Sequence, residues 1–202
     1  MKFIEFLKNR YILVLISALV LVFIIVLINV MNARDTKKPD VEIGYVTGGQ
    51  LIPHEVEQRL KEVILPLIDD VTGDGKKKIR FIPLTGLRID LEFTSEGTQI
   101  MLMNLGTFDK FAGLGAFDSL DSYTLDYKLD TKLFPEVRVK AEDTNEAHVY
   151  AIPVSEIALL SKNGFPVEDY YLAIRKPRSD QKLSMDKNEN AHIILKEILA
   201  LQ

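Results

Sequence analysis

The distribution of apolar residues predicts two parts of different character. Residues 11–31 form one apolar run without a charged side chain, whereas the chain after Asp40 alternates between short apolar segments and polar turns. A helix over this run would be about 30 Å long, close to the thickness of the hydrocarbon core of a bilayer. The pattern therefore predicts one transmembrane helix followed by one polar domain.

The flanks of this run suggest how the chain is organised. We expect a cytoplasmic tail over 1–10, a transmembrane helix over 11–31, a linker over 32–40 and an extracytoplasmic domain over 41–202. The apolar run exceeds the core of a cleavable signal peptide, which favours an uncleaved signal-anchor. Lysine and arginine are equally numerous on both flanks, so the orientation rests on the short basic head, which normally stays in the cytoplasm. The expected location is a bacterial cell membrane, single-pass, with the domain outside.

Beyond the linker, strand-like and helix-like patterns follow each other. Strands are predicted where β-branched and apolar residues cluster, and helices where apolar residues recur every three to four positions. The predicted strands are 41–47, 78–84, 98–104, 148–154 and 170–175. The predicted helices are 54–68, 87–95, 106–115 and 190–201. Residues 155–165 fit either a strand or a helix.

The order of these elements predicts a fold class. The strand over 98–104 is apolar almost throughout, as in a sheet that is buried on both faces. Strands that alternate with helices are typical of layered α/β domains whose strands run parallel. We therefore expect a single-lobe α/β domain with a mainly parallel five-stranded sheet flanked by helices.

Composition and charge narrow the range of functions. The chain has 202 residues, enough for one domain with a core beyond the apolar run. Its formal net charge of −4 gives no reason to expect nucleic acid as a partner. It contains no cysteine, which excludes disulfides, thiolate metal sites and a cysteine nucleophile.

Several segments follow each other in the order of a known family. They are VEIGYVT (41–47), KIRFIPL (78–84), EGTQIMLMN (96–104), GLGAFDSLD (113–121) and HVYAIPVSEIALLSKNGF (148–165). With these segments the chain resembles one lobe of the type II periplasmic, or extracellular, solute-binding proteins of ABC transporters. The resemblance implies a periplasmic-binding-protein-like half that serves solute binding or transport. Such proteins have two lobes around a cleft, whereas this chain has room for one.

Candidate ligand-binding residues follow from the predicted sheet. In open α/β sheets, ligands bind beyond the carboxyl ends of the strands. The residues at these ends are Thr47, Gly48, Gly49, Thr85, Asn104, Thr107 and Glu156. Backbone N–H groups near Gly106 would suit an anion. In the alternative interpretation these are ordinary turn and cap residues, with Thr107 capping the helix that follows.

Other patterns point to no chemistry. The segment from Asp70 to Gly75 is similar to the start of an EF-hand loop, but the twelfth position is Phe81 instead of glutamate, which favours a turn. The histidines His54, His148 and His192 lie far apart without metal-ligand spacing. The sequence has no nucleophile elbow, no P-loop and no dinucleotide-binding glycine pattern. Neither an enzyme nor a metal or cofactor is indicated.

The sequence thus predicts a non-catalytic binding or interaction module, anchored in the lipid bilayer. Its expected partner is a protein of the membrane or envelope, or a small solute. The alternative is an accessory solute-binding component of an ABC-type transporter that completes its cleft with another chain.

Overall fold

The fold was described from a computed structural model. It describes residues 14–26, 38–48, 51–95, 97–166, 168–177 and 181–201. The chain separates into two compact units, Met1–Lys38 and Pro39–Gln202. The site described below lies within the second unit.

The apolar run near the amino terminus forms helix α1 over residues 14–26. Within the described ranges, no helix combines the length and the apolarity that a membrane crossing requires. This finding overturns the predicted transmembrane helix over 11–31 and the single-pass location at the cell membrane. Residues 11–13 and 27–31 of the predicted span lie outside the described residues.

The second unit contains two sheets. The strands are β1 (Val41–Val46), β2 (Ile79–Leu84), β3 (Ile100–Met103), β4 (Arg138–Val139), β5 (His148–Val149), β6 (Ile152–Pro153) and β7 (Tyr171–Ile174). The helices are α2 (His54–Ile64), α3 (Leu87–Thr94), α4 (Leu105–Ala112), α5 (Asp121–Asp126), α6 (Ala158–Lys162) and α7 (Lys182–Ala200). Two 3₁₀ helices, Pro135–Val137 and Val154–Glu156, connect these elements.

The main sheet is mixed, not mainly parallel as predicted. Its strand order is β2-β1-β3-β7-β6, and β4 pairs with β5 in a separate ribbon. Strand β1 runs parallel to β2 and β3, but β7 runs antiparallel to both β3 and β6. The prediction was wrong because alternation of strands and helices does not fix direction. The connection through α6 joins β6 to an adjacent antiparallel strand.

The core lies on both sides of the central strands. Every residue of β1 and β3 is buried, and α2 buries Val56, Leu60 and Ile64 against them. Helix α7 contacts β1 and β7. In such layers, burial of the apolar face of a helix against a sheet is the main favourable contribution to the free energy of folding, at about 25 cal/mol per Å² of apolar surface buried.

Two elements differ from their predicted bounds for tertiary reasons. Helix α7 begins at Lys182, eight residues before the predicted start, because Asn188 and Asn190 are buried with partners in the fold. The amide of Asn190 accepts a hydrogen bond from the Asp69 N–H and donates one to its carbonyl. The predicted strand over 148–154 is divided into β5 and β6, since the chain leaves the ribbon and enters the main sheet.

Candidate functional site

One edge of the main sheet collects the ends of five strands. Strand β6 runs in the direction of β3, because both are antiparallel to β7. The carboxyl ends of β1, β2, β3 and β6 therefore lie at the same edge as the amino end of β7. We call this edge the strand-end edge. It includes the point where β1 has β2 on one side and β3 on the other, which is where ligands bind in open sheets of this kind.

A cavity at this edge lies beyond the end of β1. Its volume is about 530 Å³, within the range of small-molecule sites. Its lining is mostly apolar and aromatic: Tyr45, Gly48, Leu51, Ile52, Pro53, Gly164, Pro166 and Tyr170. We call it the apolar cavity.

Two tyrosines of the apolar cavity are held by backbone groups. The Tyr170 hydroxyl donates to the carbonyl oxygen of Val46 at 2.7 Å, and its ring packs edge-on against Phe165. The Tyr45 hydroxyl is hydrogen-bonded to the backbone of Ile52. Burial raises the pKa of both tyrosines. Both side chains are therefore uncharged at neutral pH, and their hydrogen bonds fix their orientation in the wall of the cavity.

The opposite wall depends on a glycine. Gly164 has a φ of +84°, a conformation that favours glycine. It follows Asn163, whose carbonyl accepts two hydrogen bonds from the Arg59 guanidinium, at 3.3 and 3.0 Å. Arg59 of α2 thereby holds the loop after α6 in place, and this loop closes the apolar cavity.

The second cavity is acidic. Its volume is about 320 Å³, and it shares Tyr170 with the apolar cavity. Its lining residues are Leu133, Phe134, Glu136, Pro153, Ser155, Glu156, Glu168, Asp169, Tyr170 and Tyr171. Four of these residues are carboxylates and none is basic. We call it the acidic cavity.

A tyrosine next to these carboxylates shows their electrostatic effect. The Tyr171 hydroxyl donates to Glu136 Oε1 at 2.9 Å. Burial, together with the hydrogen bond and the negative charge of Glu136, raises the pKa of Tyr171 to about 12. The charges of Asp169 and Asp109 act in the same direction. The environment of Tyr171 thus disfavours additional negative charge.

The residues predicted as ligand-binding divide into four groups. Gly48 lines the apolar cavity and Glu156 the acidic cavity. Thr47 and Thr85 directly follow β1 and β2 at the same edge but line neither cavity. Gly49 lies outside the described residues.

The remaining predicted pair forms a helix cap. Asn104 Oδ1 accepts a hydrogen bond from the Thr107 N–H at 2.9 Å, which identifies Asn104 as the N-cap of α4. Thr107 was predicted as the cap, but it supplies the donor. Neither residue lines a cavity.

The tyrosines of the cavities were missed in the sequence. Tyr170 and Tyr171 looked like part of a strand, because their neighbours are apolar and β-branched. Their position at the start of β7 became meaningful only with the direction of that strand. The four carboxylates come from three separate segments of the chain, and no local spacing connects these segments.

Two histidine–carboxylate pairs were also missed. His148 Nδ1 lies 2.6 Å from Asp121 Oδ2, and Asp121 Oδ1 accepts a hydrogen bond from the Val149 N–H. His192 Nε2 lies 3.2 Å from Asp118 Oδ2. The pairs connect the start of α5 with β5 and with α7. Neither histidine lines either of the two cavities, so we interpret the pairs as structural.

The Asp121 pair makes the stability of the fold depend on pH. The pKa of Asp121 is lower than its ordinary value. Partial burial acts to raise this pKa, but the hydrogen bonds from Val149 and His148 lower it by more. A lowered pKa in the folded chain stabilises the fold above the unfolded value of about 3.9, and the stabilisation is lost as pH falls through the folded value.

We therefore expect Asp121→Asn to reduce the free energy of unfolding by about 1 kcal/mol at neutral pH, because the carboxylate is one-third exposed and its hydrogen bonds are screened. The difference from wild type should shrink below about pH 4. Urea denaturation across this pH range measures it. The matched control is Asp126→Asn, an exposed carboxyl at the end of α5. A difference that is constant with pH would contradict the assignment.

Comparison with known proteins does not assign the chain to a family. No protein-family model matches the chain, and no curated protein matches it. Among the residues that the structure describes, no group of three or more histidine, aspartate or glutamate side chains is placed to hold a metal ion. The apolar cavity and the acidic cavity are therefore the features of the described residues that suggest a function.

Proposed function

We propose that the second unit is a non-catalytic ligand-binding module whose site is the strand-end edge. The observation that carries the proposal is the apolar cavity beyond β1. A concave apolar pocket with a few fixed polar groups is the usual form of a small-molecule site. It lies beyond the carboxyl end of β1, the strand between β2 and β3, and this is the usual place for ligands in open α/β sheets.

The position of the cavity also supports a role in solute binding, which the resemblance to solute-binding lobes implies. Gly48 and Glu156 were named from the sequence because ligands bind beyond the carboxyl ends of the strands in open α/β sheets. Both line a cavity. We propose a role in binding a small solute, with a second chain as the candidate for completing the enclosure.

The proposal is tested with Leu51, which lines the apolar cavity and is 66% exposed. A panel of small aromatic and aliphatic fragments is screened against the full chain by ligand-observed NMR. We expect a subset to bind, and we expect Leu51→Glu to weaken these fragments about tenfold, equivalent to about 1.4 kcal/mol. The reason is that a carboxylate in the apolar lining must be desolvated or displaced by the fragment.

The matched control is Leu125→Glu. Leu125 is 77% exposed on α5 and lines neither cavity, so this variant introduces the same charge elsewhere. Fragment affinities should remain at the wild-type value in the control. Equal weakening in both variants, or a wild-type chain that binds no fragment at millimolar concentration, would contradict the proposed site.

A further inference from the structure

The described residues that line the apolar cavity carry no charge. They are two tyrosines, two prolines, two glycines, a leucine and an isoleucine. Two charged side chains of α2 lie close to this lining, and both have partners. Arg59 donates two hydrogen bonds to the Asn163 carbonyl, and Glu57 forms an ion pair with Lys61 at 2.6 Å. An ion in the cavity would therefore lose its hydration without gaining an opposite charge.

The polar side-chain groups of this lining are already hydrogen-bonded. The Tyr170 hydroxyl donates its single hydrogen to the carbonyl oxygen of Val46 at 2.7 Å, and the Tyr45 hydroxyl is bonded to the backbone of Ile52. Among the described residues, no other side chain of the lining has a donor or an acceptor. A sugar or a free amino acid would bury several polar groups there with few partners, at a cost for each group.

Rings form half of the lining. Four of its eight described residues carry one, namely Tyr45, Pro53, Pro166 and Tyr170. The ring of Tyr170 lies edge-on against Phe165 with 5.5 Å between the ring centroids, so it is held from behind as well as by its hydroxyl. Rings that are fixed before a ligand arrives lose little freedom on binding. Aromatic rings also attract one another beyond the effect of buried area, which favours an aromatic ligand over a saturated one.

We propose that the apolar cavity binds an uncharged aromatic compound. Its ring packs against the tyrosine and proline rings of the lining, and a polar substituent remains at the open side of the cavity. This inference rests on the proposed function and names the chemical class of its ligand. It excludes ions, free amino acids and sugars as ligands of this cavity.

The experiment compares five compounds by ligand-observed NMR titration of the full chain. Benzyl alcohol is aromatic and uncharged, benzylammonium and benzoate carry a charge, cyclohexylmethanol is saturated, and glucose carries many hydroxyls. We expect benzyl alcohol to bind about tenfold more tightly than either ion, because an ion must be desolvated. It should bind about threefold more tightly than cyclohexylmethanol, because the saturated ring lacks the aromatic attraction. Glucose should show no saturable binding.

Two variants of Tyr170 separate the ring from the hydroxyl. Tyr170→Phe keeps the ring and should keep the affinity for benzyl alcohol, since the hydroxyl is directed to Val46. Tyr170→Leu removes the aromatic ring, and benzyl alcohol should lose its advantage over cyclohexylmethanol. The matched controls are Tyr127→Phe and Tyr127→Leu. Tyr127 lines neither cavity, and its hydroxyl also donates to a backbone carbonyl, that of Lys196 at 2.9 Å. Both controls should keep the preference for the aromatic ring.

The outcomes separate this inference from the proposed function. If an ion, glucose or cyclohexylmethanol binds as tightly as benzyl alcohol, the class of ligand is overturned and the cavity remains a binding site. If Tyr170→Leu keeps the preference for the aromatic ring, or if Tyr170→Phe weakens benzyl alcohol more than Tyr127→Phe does, packing against the ring is overturned as the basis of selection. If none of the five compounds binds, the inference is overturned, and the fragment panel with Leu51→Glu decides separately on the binding module.

Discussion

Replacing Phe108 with alanine should lower the free energy of unfolding by about 3–5 kcal/mol, the range for large-to-small changes at buried aromatic positions. Phe108 is fully buried on α4. Its ring centroid lies 5.7 Å from that of Phe117 and 6.3 Å from that of Tyr171. The variant leaves a cavity between α4 and β7 that the fixed strands cannot close. Urea denaturation, followed by circular dichroism, measures the loss.

The same variant connects the core with the acidic cavity. Phe108 supports the ring of Tyr171, which hydrogen-bonds Glu136. The control is Leu114→Ala, since Leu114 is 59% exposed and truncation there should cost less than about 0.5 kcal/mol. A loss below about 1 kcal/mol for Phe108→Ala would mean that the aromatic stack contributes little.

The second large effect is expected at Asp40, a fully buried carboxylate before β1. Its Oδ1 accepts hydrogen bonds from the backbone N–H groups of Val71 and Thr72, and its Oδ2 accepts one from the backbone N–H of Lys78. Asp40→Ala leaves these three donors without their acceptor. At about 1 kcal/mol or more for each unsatisfied group, we expect a loss of about 3 kcal/mol in unfolding free energy.

Two comparisons make the Asp40 prediction specific. Asp40→Asn keeps one acceptor oxygen, so it should lose less than the alanine variant. Asp126→Ala removes an exposed carboxyl on α5 and should change stability by less than about 0.5 kcal/mol. Differential scanning calorimetry of the three variants gives their order of stability. An asparagine variant as unstable as the alanine variant would show that the negative charge matters and not the number of acceptors.

The prediction of individual elements succeeded where the pattern is local. Strand β1 is rich in β-branched and apolar residues, and helix α2 has the period of a helix with one buried face, so both were located within a few residues. The end of α2 was predicted at residue 68, but the helix ends at Ile64, since Pro66 lies in the turn that follows. Helix α7 was predicted too short because its first turns bury polar residues that look solvent-exposed in a sequence.

The prediction failed where a property depends on more than the local pattern. The transmembrane helix over 11–31 was assigned from length and hydropathy, and that assignment is corrected because no helix among the described residues is long and apolar enough to cross a membrane. The sheet was expected to be mainly parallel, although strand patterns are the same for both directions. The antiparallel β7 brings Tyr170 and Tyr171 to the strand-end edge, which a parallel strand in the same place would not do.

The sequence by itself determined the α/β character of the second unit and the positions of its strong strands and helices, because burial of one face imposes a period on the residues. It also singled out Gly48 and Glu156, which line the apolar cavity and the acidic cavity in the structure. Only the tertiary structure decided the direction of β7 and the meeting of four carboxylates from three segments. Such contacts join residues that are distant in the chain, and their pairing depends on packing free energy that no local pattern records.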